Sequence, residues 1–154
     1  MKELIKERIS ALRSEMQLTG IDAYIIYGTD PHLSEYLPDH WQTRSFISGF
    51  TGSAGMVIVT SKKAALWTDS RYFLQAEEQL SDTGIDLIKM RTPGYPEPAE
   101  WLNKNLESGA SVGTDESCIS VSQFRAMYHA LSKYQIQLKE TCDLLNAIWP
   151  ERPS

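Results

Sequence analysis

Met56-Val57-Ile58-Val59-Thr60, Ser61-Lys62-Lys63, Ala64-Ala65-Leu66-Trp67-Thr68 and Asp69-Ser70-Arg71-Tyr72-Phe73 follow one another without a break. Two apolar runs separated by only three polar residues predict an antiparallel hairpin, with strands over 56–60 and 64–68. Asp69 then offers a side-chain acceptor at the start of a helix running from about Ser70 to Leu80. A hairpin that feeds a helix excludes a purely parallel sheet, so the sheet is expected to be mixed.

Upstream, Ile5, Ile9, Leu12 and Met16 recur at helical spacing and form one apolar stripe, with Gly20 as a stop. Ala23 to Tyr27 is short and rich in aromatic and β-branched residues, which predicts a strand covered on both faces. Residues 29 to 44 are polar and carry Pro31 and Pro38, and are read as a loop. In Phe46 to Gly55, Gly49, Gly52 and Gly55 fall three apart and suit a tight, irregular backbone path. Downstream, a strand is expected over 85–90. Pro98 opens a helix carrying Trp101, Leu102 and Leu106. A short strand is expected over 112–114. Ser120 and Gln123 form a capping box before a helix with Val121, Phe124, Tyr128 and Leu131 on one stripe. A last strand over 136–139 and a helical turn over 144–149 complete the pattern. Alternating strands and helices predict an α/β fold, a central mixed sheet with helices on its faces. Pro150 to Ser154 has the composition of a linker.

The chain has 154 residues, enough for one domain with its own core. A net charge of −5 argues against a nucleic-acid partner, which calls for a basic stripe. Cys118 and Cys142 are too few for a disulfide scaffold and are expected to be free, buried thiols of a cytoplasmic protein. Met1 to Arg8 mixes charged and apolar residues and does not read as a signal peptide. No apolar run approaches bilayer length, so no membrane partner is expected.

Catalytic patterns are sparse. Asp30, His32, Glu35, Asp39 and His40 share one loop, but no regular ligand spacing supports a metal there. Ser53 lies between glycines, yet the pattern is not Gly-x-Ser-x-Gly, and a strand follows it where a nucleophile elbow requires a helix. The same loop lacks the Gly-Lys-Ser/Thr ending of a phosphate loop. Arg71 stands out. A cation in the first helical turn opposes the helix dipole, yet it projects a bidentate donor from the end of a strand, where α/β sheets often present ligands. Two readings stay open: Arg71 pairs with Asp69 or another local carboxylate, or it is offered to a ligand.

Ser34-Glu35-Tyr36, the run Arg44-Ser45-Phe46-Ile47-Ser48-Gly49-Phe50-Thr51-Gly52-Ser53-Ala54-Gly55, and Leu66-Trp67-Thr68-Asp69-Ser70-Arg71-Tyr72-Phe73-Leu74-Gln75-Ala76 together resemble the amino-terminal domain of Xaa-Pro aminopeptidases (aminopeptidase P). These belong to the creatinase and prolidase superfamily. The resemblance implies a three-layer α/β/α domain with a ribonuclease-H-like arrangement over residues 1–149, with 150–154 leading toward second and metal-binding domains. It implies a cytoplasmic metallopeptidase that removes the residue before proline. Two divalent metals, commonly manganese, would sit in a pita-bread domain outside this chain, activating water and polarising the scissile carbonyl. The resemblance assigns this domain no catalytic residue, no metal ligand and no cofactor. It makes Arg71 a substrate-binding residue, with Asp69 orienting it, and leaves Tyr72 and Phe73 to pack the helix on the sheet. The implied partners are a peptide with proline second, the protein's own carboxy-terminal domain, and a second copy in a homodimer. The alternatives are a protein-binding module of a metal-free, histone-chaperone-type relative, or a fragment of a creatinase-like amidinohydrolase.

Overall fold

The structure is a computed structural model and describes residues 1–29, 32 and 36–154. Helix α1 spans Lys2–Thr19 and buries Ile5, Ile9, Leu12 and Met16, the predicted stripe. Gly20 ends it in the left-handed region at φ 73°, a conformation that a residue with a Cβ resists. Strand β1, Ala23–Ile26, follows at once and is buried along its whole length. Strands β2, Met56–Thr60, and β3, Ala64–Thr68, form the hairpin read from the sequence, paired from Met56↔Trp67 to Val59↔Ala64. Strands β4, Asp86–Lys89, β5, Ser111–Asp115, and β6, Gln137–Thr141, complete a six-stranded sheet in the order β4-β3-β2-β1-β5-β6. Both pairings of β2 are antiparallel and the other three are parallel, so β2 alone runs against the rest.

The strand period of two sorts the core into two halves. Tyr24, Ile26, Val57, Val59 and Leu66 point to the face covered by α1 and by α2, Thr43–Ser48. Helix α3, Phe73–Leu80, adds Ala76 and Leu80 on that side. Ala23, Ile25, Ile58, Ala65 and Trp67 point to the other face. There they meet Trp101 and Leu102 of α4, Pro98–Asn105, and Leu131 of α5, Val121–Ser132. This gives the three α/β/α layers.

Several local expectations need correction. The irregular path expected from Phe46 begins only at Gly49, because Thr43–Ser48 is helical and ends on Gly49 at φ 77°. Six residues are too few to show a helical period in sequence. The loop expected up to residue 44 also holds a 3₁₀ turn at Asp39–Trp41. The helix expected from Ser70 is a 3₁₀ turn over Ser70–Tyr72 that passes into α3. On α5 the capping box forms as predicted, but Val121 and Tyr128 are exposed, at 68% and 48%, while Leu131 is fully buried. The predicted stripe points partly to solvent because the row that packs on the core is Phe124, Met127, Ala130 and Leu131, which leaves Val121 and Tyr128 to one side. Cys118 is buried, whereas Cys142 is exposed, since it follows the edge strand β6.

The segment after α5 and β6 is tied back onto the amino-terminal layer. Arg152 donates to Asp143 Oδ2 at 2.6 Å and to the His40 carbonyl at 2.8 Å. Its guanidinium lies 5.2 Å from the Trp41 ring and 5.1 Å from the Trp149 ring. Trp149 in turn stacks on Phe46 at 4.2 Å.

Candidate functional site

The carboxyl end of β3 passes directly into Asp69, and this junction builds the candidate site. Asp69 is extended at φ −91°, ψ 174°, the geometry of a helix cap, and its Oδ1 accepts from the Arg71 backbone N–H at 3.0 Å. The same carboxylate takes the Arg71 side chain in a fork. Arg71 Nε donates to Oδ1 at 3.0 Å and Nη2 donates to Oδ2 at 2.8 Å. Both sequence readings of Arg71 therefore bear on one geometry: it pairs with Asp69, and its own side chain stays mostly exposed. The Arg71 side chain is 66% exposed and that of Asp69 15%, so the cation is the half of the pair that a ligand would meet. Asp69 engages the guanidinium through Nε and Nη2, and Nη1 takes no part in the fork.

The hydrogen bonds from Arg71 hold the Asp69 carboxyl below its usual value, and Asp69 in return raises the guanidinium. A carboxyl with a depressed folded pKa contributes stability above its unfolded value and loses it as pH falls through the folded one. The fork is therefore expected to stay closed through the ordinary carboxylate range and to open only as pH falls below it. An NMR titration of the Arg71 Nε–Hε signal checks this; a midpoint near neutrality would contradict it.

Tyr72 lies beside the fork. The Arg71 guanidinium carbon sits 5.1 Å from the Tyr72 ring centroid, and the Tyr72 hydroxyl shares a short hydrogen bond with the Ser53 hydroxyl. That bond, with the charge of Arg71 nearby, holds the phenol below its usual pKa. Ser53 belongs to the glycine loop, and the loop is bolted down from three sides. Arg44, 8% exposed, donates from Nη2 to the Gly52 carbonyl at 2.7 Å and from Nη1 to the Gly55 carbonyl at 2.9 Å. Thr68 donates to the Ala54 carbonyl at 2.6 Å. Gln79 of α3 accepts from the Thr51 N–H at 3.0 Å. Burial pulls the Arg44 guanidinium below its usual value, yet an arginine stays charged in proteins, and the loop carbonyls replace part of its lost hydration.

The glycines serve close approach here. A Cβ on Gly52 would lie 2.2 Å from Phe50 Cζ, and one on Gly55 would lie 2.8 Å from the Trp67 carbonyl oxygen. Arg44 and the Ser53–Tyr72 pair were not singled out from sequence. Their signal is weak there, because an arginine in a polar stretch and a serine between glycines look like ordinary surface residues.

The other candidates from the sequence, Ser53 aside, lie apart from this junction where they are described. Of the loop donors, Asp30 and Glu35 lie outside the described residues, and His40 donates Nδ1–H to the Pro153 carbonyl at 2.6 Å. Among the described residues, no group of three or more His, Cys, Asp or Glu is placed to hold a metal ion. Ser53 bonds to a phenol and has no histidine or other general base beside it in the described contacts. Burial pushes the Cys118 thiol up to about 12, which suppresses the thiolate that nucleophilic chemistry needs. No described helix is long and apolar enough to cross a membrane.

The chain is thus a mixed-sheet α/β domain with one guanidinium, held by Asp69, at the carboxyl end of a strand. Residues 8–148 match the Creatinase/Prolidase N-terminal domain, and the chain belongs to that family. It is 40% identical to aminopeptidase P2 of Arabidopsis thaliana over 99% of its own length and 22% of the relative's. It is 42% identical to Xaa-Pro aminopeptidase 2 of Homo sapiens over 94% of its length and 21% of the relative's. The chain therefore spans about a fifth of these relatives. Its fold superimposes with a TM-score of 0.88 on an X-prolyl aminopeptidase from Caenorhabditis elegans, described as a cytosolic enzyme with a di-nuclear active site. That match is at 33% identity and covers 97% of this chain and 26% of the other.

Proposed function

We propose that this domain is the non-catalytic amino-terminal part of a metal-dependent Xaa-Pro aminopeptidase, and that Arg71 contacts the peptide substrate. The observation that carries the substrate role is the fork itself. Asp69 engages the Nε–Nη2 edge of a guanidinium whose side chain is mostly exposed at the carboxyl end of β3, a donor suited to recognition of a carbonyl or carboxylate. The names of the similar proteins support the reaction, which removes an amino-terminal residue preceding proline. The reading carries with it a cytoplasmic setting, as described for the nematode relative. Two divalent metals, manganese by the family resemblance, would be held in a carboxy-terminal domain outside this chain. A homodimer belongs to the same reading.

In a protein of the relatives' full length, Arg71→Ala is expected to raise KM for an Xaa-Pro peptide about ten-fold, the loss of one charge-assisted contact. The bound metal content should not change. Kinetics identical to the parent would overturn the substrate role. Retained peptidase activity in the isolated 154-residue chain would overturn the non-catalytic reading.

A further inference from the structure

We propose that Ser53 and Tyr72 are positioning residues for Arg71, forming a strut between the glycine loop and the guanidinium; this rests on the reading of Arg71 as the substrate contact. The need for a strut follows from the geometry of the fork. Asp69 holds Nε and Nη2 along one edge, and that edge acts as a hinge about which the guanidinium plane can swing. The Arg71 half of the pair is also largely in solvent, where screening and side-chain entropy weaken an ion pair. A second surface is required to fix the direction in which Nη1 points.

The Tyr72 ring supplies that surface. It faces the guanidinium carbon at 5.1 Å, within the range of a cation–π contact. The ring would itself turn if it were free. Two contacts prevent this: its edge meets Phe50 at 5.9 Å and 83°, and its hydroxyl is pinned by Ser53. Phe50 is fully buried, and Ser53 sits on a loop held by Arg44, Thr68 and Gln79. The buried cation of Arg44 thus anchors, through the loop, the exposed cation of Arg71. This also accounts for a polar Ser53 in a loop where it has no nucleophilic chemistry to perform.

The test measures motion, so it needs no peptide. The 154-residue chain is labelled with ¹⁵N and the order parameter of the Arg71 Nε–Hε vector is determined. In Ser53→Ala and in Tyr72→Phe it is expected to fall from about 0.8 to below about 0.6, with melting temperatures within roughly 2 °C of the parent. Ser53→Thr retains the hydroxyl and should restore the parent value. An unchanged order parameter in both variants would overturn the strut while leaving the substrate contact standing. A fall in only one of them would also overturn it, because the two residues share one hydrogen bond. Flat kinetics of the Arg71 variant would sink the substrate contact and leave the strut as a structural fact.

Discussion

Truncation of Trp67 to alanine is expected to destabilise the domain by about 3–5 kcal/mol. Trp67, the penultimate residue of β3, is 2% exposed and packs edge-on against Trp101 of α4 at 5.4 Å. Its Nε1–H donates to the Pro96 carbonyl at 3.1 Å, which ties the loop before α4 to the sheet. Alanine removes the ring, opens a cavity between sheet and helix, and leaves that carbonyl without its donor. For a domain of this length the loss corresponds to a fall in melting temperature of roughly 10–15 °C. Tyrosine or phenylalanine in its place keeps the ring contact and should lose only about 1–2 kcal/mol, much of it the indole hydrogen bond. Thermal unfolding followed by circular dichroism distinguishes these cases. A fall of only two or three degrees for the alanine variant would show that this half of the core is not organised around Trp67. Because Trp67 lies two residues before Asp69, the variant should also disturb the fork at Arg71.

Gly52→Ala is the second large effect. The added methyl would sit 2.2 Å from Cζ of Phe50 and 2.8 Å from its Cε2. Phe50 is fully buried and cannot swing away. The loop must move instead, which strains the bonds from Arg44 to the Gly52 and Gly55 carbonyls. Overpacking of this kind costs about 2–3 kcal/mol. Gly109→Ala is a useful control: its φ is +89°, but nothing lies within 4 Å of the added atom. It should cost only the backbone strain, about 1 kcal/mol. Equal melting temperatures for the two variants would contradict the tight seat of the glycine loop. The Gly52 variant should also displace Ser53 from Tyr72, so the Arg71 order parameter should fall with it.

Much of the architecture was legible because it rests on periodicity. The α1 stripe, the wholly buried β1 and the hairpin each follow from which positions are apolar, and the structure places them accordingly. The capping box at Ser120 was legible for a different reason, since both its hydrogen bonds are local in sequence. Helix α2 was not legible, because it is one and a half turns long and is defined by its C-cap and by burial against α1. The exposure of Val121 and Tyr128 on α5 was not legible, because apolar residues on neighbouring rows do not show which row the sheet covers. Cys142 was misread in the same way: an average preference for burial says nothing of an edge strand.

The candidate site divides along the same line. The sequence by itself determined the mixed α/β class and the strand-to-helix junction, and it placed Asp69 and Arg71 two residues apart, where a cap and a cation can meet through local geometry; the structure closed that pairing. Only the tertiary structure decided what holds that pair. Arg44 reaches the glycine loop across 8 and 11 residues, and Ser53 reaches Tyr72 across 19. Contacts at such separations depend on how the chain returns to itself, which residue types and spacings do not encode. The guanidinium at the end of β3 is a property of a short motif, whereas its fixed direction comes from a buried arginine and a loop with no room for a side chain.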